Sequence, residues 1–362
     1  MQITFVLPGI DISGGVRSTL ELANRLYQRG HQVVVVFSSS AWQLESKELS
    51  LKQLIKAALK HIRNRKRLRS LDWFDLKARL LCVPSLAEKY IPNGDVIIAT
   101  WWGNTYDVSR YGKSKGIKFH FIRAYETWCG PEELVDKCYT LNLHKIATIP
   151  KLKEFIEDKF DIKVHGPLPN GINFDIFHRE SKDFKCHTPK RLGILYRRDK
   201  VKGMQDGFEA VIKAQKKFPE MQVVLFGEPF TKEDSDIIKK INNVEIHKLS
   251  YGQELRRIYN SLDIFVFPSH YEAATQPPLE AMACGVACVL TEVGAISDYN
   301  AENCVALISP PKKPEELYEN IVTLLADEQS REKIAREGHK FSQQFTWDKT
   351  VLELEKLFKK YA

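Results

Sequence analysis

The sequence predicts an α/β protein built from two successive doubly wound domains with parallel sheets. Three observations carry this. The chain opens on strand, glycine-bearing turn, amphipathic helix and strand; the same order restarts after Pro169-Asn170-Gly171; and 362 residues exceed one typical compact domain. Residues 3–7 (Ile-Thr-Phe-Val-Leu) read as a buried strand, followed by a turn through Gly9, Gly14 and Gly15. The next helix sets Val16, Leu20, Ala23 and Tyr27 on one face and stops at Gly30. Residues 33–37 form a second apolar strand. Strand, crossover helix and strand make the unit of a parallel sheet covered on both faces. Residues 95–100 and 118–123 extend that sheet. In the second half, residues 192–196, 221–226, 244–247, 264–267, 287–290 and 305–307 read as short buried strands. Helical stretches at 207–217, 254–261 and 279–284 separate some of them.

Composition narrows the function classes. With 43% hydrophobic and 28% charged residues, the chain is ordinary for a soluble globular protein. Its net charge of +8 points to an anionic partner: a phosphate-bearing substrate, an acidic membrane face or nucleic acid. The seven cysteines include no CxxC pair, so neither a zinc site nor a disulfide framework is suggested, and free thiols in a reducing cytoplasm are expected. The N-terminus has no basic segment followed by a signal-like apolar stretch, and no apolar run approaches the roughly 20 residues that cross a bilayer. The expected location is cytoplasmic, either free or on the inner membrane face.

Residues able to do chemistry cluster at strand ends. Gly14-Gly15 lies between the first strand and first helix, where backbone can approach a ligand and the helix N-terminus attracts negative charge. The spacing is neither a dinucleotide fingerprint nor a P-loop, so a tight turn is the alternative. Arg197, Arg198 and Lys202 follow the strand at 192–196. Cations placed there neutralise a leaving diphosphate as its charge grows; Arg suits bidentate phosphate contact and Lys acts as a point charge. A solvated basic turn explains Arg198 and Lys200 as well. Glu272 and Glu280, eight residues apart, flank a strand-to-helix loop. One carboxylate can hold sugar hydroxyls and the other both hydroxyls of a ribose; helix-dipole stabilisation is the competing explanation for Glu280.

At these residues the sequence resembles the retaining GT-B glycosyltransferases of family 4, over nearly the whole chain. The matching pieces are Gly14-Gly15-Val16 with Gly30-His31, Pro169-Asn170-Gly171-Ile172-Asn173 with Phe177, and Arg197 with Lys202-Gly203. The most specific stretch runs from Ser261-Leu262-Asp263 through Pro268-Ser269, Glu272 and Glu280 to Gly285, with an E-x7-E pattern. The resemblance implies a GT-B fold of two Rossmann-like domains facing across a cleft. The acceptor-side domain would take residues 1–170 with 348–362, and the nucleotide-sugar domain residues 171–347. It implies Arg197 and Lys202 on the donor diphosphate, Glu272 on the transferred sugar and Glu280 on the ribose. Gly14 and Gly15 would face the donor, and the nucleobase would lie near residues 247–250. It implies retention of anomeric configuration, no catalytic metal and no cofactor beyond the nucleotide sugar as donor substrate. A glycan or lipid-linked acceptor follows. Two departures stand out. Ala273-Ala274-Thr275 replaces the usual Gly-Phe-Gly, with Thr275 a substitute hydroxyl contact. Where relatives carry a sugar-side His, this chain has Ala124-Tyr125-Glu126; Glu126 is the candidate replacement, and a surface loop the alternative.

Residues 51–69 are basic and carry apolar residues at helical spacing (Leu51, Leu54, Ile55, Ala58, Leu59, Ile62), followed by Arg65, Lys66, Arg67 and Arg69. They read either as a segment that meets an anionic membrane or as a helix packed on its own domain. An epimerase or phosphorylase on the same architecture, and a nucleic-acid-binding scaffold, are the competing functions. The first lacks a reason for the E-x7-E pair beside Arg197 and Lys202. The second lacks aromatic-interleaved RNA motifs. Asp234-Ser235-Asp236 reads as a solvated helix start rather than a metal site.

Overall fold

The computed structural model describes residues 1–40, 71–181, 187–272, 274–298 and 304–362. The basic segment 51–69, Cys186 and Ala273 lie outside the described residues. Contacts divide the chain into two units, one of Met1–Gly171 with Trp347–Ala362 and one of Ile172–Thr346. Both have the parallel α/β construction that the sequence predicts.

The first unit begins with β1 (Gln2–Leu7), α1 (Gly14–Gln28), β2 (Gln32–Ser38), β3 (Arg79–Val83), β4 (Val96–Ala99) and α2 (Trp102–Arg110). It continues with β5 (Ile117–Ile122), α3 (Glu132–Thr140), β6 (His144–Ala147), α4 (Pro150–Phe160) and β7 (Val164–His165). Among the described residues its sheet runs β3-β2-β1-β4-β5-β6-β7, every pair parallel. β1 and β4 are adjacent although α1, β2 and β3 lie between them in sequence, so the winding reverses between them. The strands are apolar runs because helices cover both faces. α1 starts on Ser13, whose hydroxyl accepts the Val16 N–H at 3.4 Å. It ends with Gly30 at φ +88°, where the Gly30 and His31 N–H groups return to the Tyr27 and Leu26 carbonyls. The buried face of α1 carries the expected Val16, Leu20 and Ala23 but not Tyr27. Leu26 is buried and Tyr27 is 49% exposed, because the apolar arc centres on Thr19, Leu22, Ala23 and Leu26.

The second unit contains β8 (Arg191–Tyr196), α5 (Met204–Lys217), β9 (Gln222–Gly227), α6 (Lys232–Ile238), β10 (Val244–Lys248) and α7 (Gln253–Asn260). There follow β11 (Ile264–Phe267), α8 (Gln276–Ala283), β12 (Ala287–Thr291), β13 (Leu307–Ser309), α9 (Pro314–Ala326) and α10 (Glu328–Ser342). The sheet order is β10-β9-β8-β11-β12-β13, again all parallel. The last strand is displaced two residues from the expected 305–307; Val305 and Ala306 are buried just before it. β11 shows how the core is divided. Phe265 and Phe267 pack with Leu255, Tyr259, Leu279 and Met282 on one face, while Ile264 and Val266 pack with Phe208, Val211 and Ile321 on the other. Among the described residues no helix is long and apolar enough to cross a membrane.

The last helix, α11 (Trp347–Tyr361), belongs to the first unit. Phe358 packs on Phe119 of β5 with ring centroids 5.2 Å apart. Glu355 accepts Arg29 Nε and Nη2 at 2.7 and 2.9 Å and lies 2.8 Å from His31 Nε2. The Arg29 hydrogen bonds, helped by His31, hold the Glu355 carboxyl down to about 2. Its contribution to stability is therefore present above the ordinary carboxylate pKa and lost as pH falls toward 2. Glu355→Gln should lower the unfolding free energy by about 2 kcal/mol at neutral pH. In urea titrations the gap between wild type and variant should close below pH 4.

Candidate functional site

In the second unit the winding reverses between β8 and β11, the place where open parallel sheets bind ligands beyond the strand ends. Arg197 and Arg198 leave β8, and a short turn over residues 200–202 leads to Gly203 and α5. The turn is capped by Asp199, whose carboxylate accepts the Val201 N–H at 3.3 Å. Gly203 sits at φ +63°, and a Cβ on it would stand 1.9 Å from the Pro268 carbonyl oxygen. Only glycine allows the β8–α5 loop to rest on the β11–α8 loop this way. The two loops are then joined by backbone. The N–H groups of His270 and Tyr271 both donate to the Val201 carbonyl, at 2.7 and 3.2 Å.

Side chains fasten the same junction. His270 Nε2 lies 2.7 Å from Asp206 Oδ2 on α5. The Thr291 hydroxyl, at the end of β12, donates to the Ser269 carbonyl. Lys202 Nζ donates to Glu272 Oε1 at 2.9 Å, and the Ser269 hydroxyl donates to the same oxygen at 2.8 Å. Arg197 Nε stands 3.4 Å from Glu228 Oε1, just past β9. Arg197, Lys202 and Glu272 are each only partly exposed. Glu280 is the fifth residue of α8 and 3% exposed, so it is one turn too deep to act as a helix cap. Thr275 precedes α8 and is also buried. Pro277 and Pro278 leave the first turn of α8 short of two N–H donors.

The sequence expectation for Asp234 needs correction. It is not a solvated helix residue but buried, taking the Tyr196 hydroxyl at 2.5 Å, the Thr231 hydroxyl at 2.6 Å and Gln205 Nε2 at 2.8 Å. It braces the end of β8 from behind.

In the first unit Gly14 and Gly15 open α1, at the reversal between β1 and β4. A Cβ on Gly14 would meet nothing within 4 Å, and one on Gly15 only Arg123 Cδ at 3.8 Å. Packing within the unit therefore does not demand glycine there. Arg123, past the end of β5, donates to the Ser18 and Thr19 hydroxyls at 3.0 and 2.8 Å, and to the Thr100 carbonyl at 3.4 Å. Burial pulls its pKa down to about 10, against the pull of Glu126. Glu126 accepts the Trp102 N–H, at the start of α2, at 3.2 Å. It is not a free surface-loop residue. Burial pushes its carboxyl up to about 7, opposed by the Trp102 N–H and Arg123.

Sequence reasoning missed Arg123, Glu228, His270 and Asp206. Arg123 and Glu228 share one signal: a charged residue directly after an apolar strand. The His270–Asp206 pair has no signal of local spacing.

Residues 178–341 match the family model described as glycosyl transferases group 1. An uncharacterized glycosyltransferase of Methanocaldococcus jannaschii is 23% identical over 236 residues, covering 62% of this chain and 62% of its own length. The capsular polysaccharide biosynthesis glycosyltransferase CapM of Staphylococcus aureus is 26% identical over 229 residues, 59% of this chain and 58% of its own. The matched regions thus span about three fifths of the length of these relatives. Among solved structures, Anabaena Alr3699/HepE in complex with UDP-glucose superposes with a TM-score of 0.73 at 14% identity, over 99% of this chain and 100% of that one. That likeness is one of fold.

The raised carboxyl pKa of Glu126 has a measurable sign. The stability it allows is fully present below the ordinary value of 4.5 and is lost as pH rises toward 7. Glu126→Gln should remove this slope. Relative to wild type the variant should gain on the order of 2 kcal/mol between pH 4.5 and pH 8 in denaturant titrations.

Proposed function

We propose that this chain, a member of the glycosyl transferases group 1 with the GT-B fold, moves a glycosyl group from a nucleoside-diphosphate sugar to a glycan or lipid-linked acceptor. The transfer retains the anomeric configuration and needs no catalytic metal. The reading rests on one observation above the rest: Lys202 and Glu272 pair at the sheet reversal of the second unit, with Arg197 just past the end of β8 and Glu280 in the helix that follows.

Charge assigns the roles. The bond from the sugar C1 to the diphosphate breaks with negative charge building on the departing oxygen. Arg197 and Lys202 are fixed cations at a strand end, so they stabilise that charge without reorganising. A metal in the same position would have the same task. Glu272 accepts hydrogen bonds from hydroxyls of the transferred sugar, and Glu280 from the ribose hydroxyls. Thr275, at the entry to α8, offers a hydroxyl to the diphosphate where the paired prolines offer no N–H. Gly14 and Gly15 leave α1 open to a ligand, and Glu126 faces sugar or acceptor hydroxyls. Attack from the face the diphosphate leaves accounts for retention, with a donor phosphate oxygen taking the acceptor proton. The basic sequence at 51–69 supports a lipid-linked acceptor met at an anionic surface on the cytoplasmic side.

Thermal-shift and transfer assays with UDP-, GDP-, dTDP- and ADP-sugars test the reading. One donor class should raise the melting temperature of wild type. Lys202→Ala and Glu272→Ala should each cut transfer by about a hundredfold or more. Stabilisation by none of the four would sink the proposal, and an inverted product anomer would sink the retaining part. For the membrane contact, replacing Arg65, Lys66, Arg67 and Arg69 by Gln should weaken co-sedimentation with vesicles rich in anionic lipid. Equal binding by both proteins would remove it.

A further inference from the structure

The cations of the donor site do not wait uncovered. Lys202 is engaged by Glu272, which the proposed function already employs, and Arg197 by Glu228, which it does not. Glu228 is put there by the backbone. Gly227, the last residue of β9, has φ +146°, and a Cβ on it would stand 2.1 Å from the Tyr196 carbonyl oxygen. The ends of β8 and β9 therefore close tightly, and the Glu228 N–H donates to that same carbonyl at 3.2 Å. The carboxylate then spans two neighbours. Oε1 lies 3.4 Å from Arg197 Nε, and Oε2 accepts the Arg198 N–H at 2.9 Å. The side chains of Arg197 and Glu228 are 27% and 29% exposed, so water screens the pair and it is cheap to open. A diphosphate carries more charge than one carboxylate and more oxygens to meet the guanidinium fork.

We infer that Glu228 sets the affinity of the donor site by competing with the diphosphate for Arg197. In the empty site it holds Arg197; a bound diphosphate takes Arg197 from it; and it reclaims Arg197 as the nucleoside diphosphate leaves. The inference rests on the reading that Arg197 meets a donor diphosphate. Its sign separates it from a plain structural role. A carboxylate that merely orients Arg197 and the Arg198 backbone would weaken binding when neutralised, whereas a competitor would strengthen it.

The test is calorimetric titration of UDP, GDP, ADP and dTDP into wild type, Glu228→Gln, Arg197→Ala and the double variant, with melting curves to confirm that each is folded. The isosteric Glu228→Gln should bind the preferred nucleotide about three- to tenfold more tightly. In stopped-flow it should release that nucleotide more slowly. Arg197→Ala should erase the gain, so that the double variant binds no better than Arg197→Ala alone. Equal or weaker binding by Glu228→Gln, or a gain that survives without Arg197, overturns the inference while leaving the donor site in place. If wild type itself binds none of the four nucleotides, the donor-site reading fails and takes the inference with it.

Discussion

The contact between the α-carbon of Gly203 and the carbonyl oxygen of Pro268 is the constraint from which the site follows. Two loops that leave adjacent central strands are brought to van der Waals distance there. Lys202, Glu272, His270 and Asp206 take their positions from that meeting. The Val201 carbonyl then receives two N–H groups from the opposite loop, and Lys202 comes within reach of Glu272. A side chain at 203 would meet a carbonyl oxygen rather than a movable group, so the backbone itself would have to shift.

The electrostatics are built on exchange. Opposite charges face each other across the two loops, which keeps several ionisable groups near one another without net repulsion. The first unit shows a harsher version. There the Arg123 guanidinium donates to the Ser18 and Thr19 hydroxyls and the Thr100 carbonyl, all neutral, beside the first turns of α1 where a cation is least welcome, and Glu126 is the acid that pulls on it. Arrangements that cost stability in this way concentrate where a protein meets its ligands.

The parallel order of strands and helices was legible because buried strands of such sheets are unbroken apolar runs, as at residues 33–37 and 264–267. Arg197, Lys202 and Glu272 were legible as candidates because each follows a strand end at short spacing, and Glu280 because it sits eight residues on, at the start of a helical stretch. β6 was not legible, since His144-Lys145 interrupts its apolar pattern; the Lys145 ammonium is satisfied by the Leu141 carbonyl. β3 and β7 escaped as well: β3 opens on an exposed arginine and β7 is two residues long. The His270–Asp206 pair depends on which loops become neighbours, and no local spacing encodes that. Tyr27 was misplaced by one position because a helical arc read from four residues can be turned by a third of a turn without losing its pattern.

The helix that ends the chain completes the unit that begins it, with Phe358 against Phe119 and Glu355 between Arg29 and His31. On the ribosome the segment 172–346 emerges whole before that helix exists. The later unit can thus close its core first, while the earlier one waits with part of its apolar surface bare until residues 347–361 have been made. Order of synthesis and order of completion run in opposite directions. A chain stalled short of residue 347 would hold a finished second unit and an open first one, and chaperones would find their binding surface there.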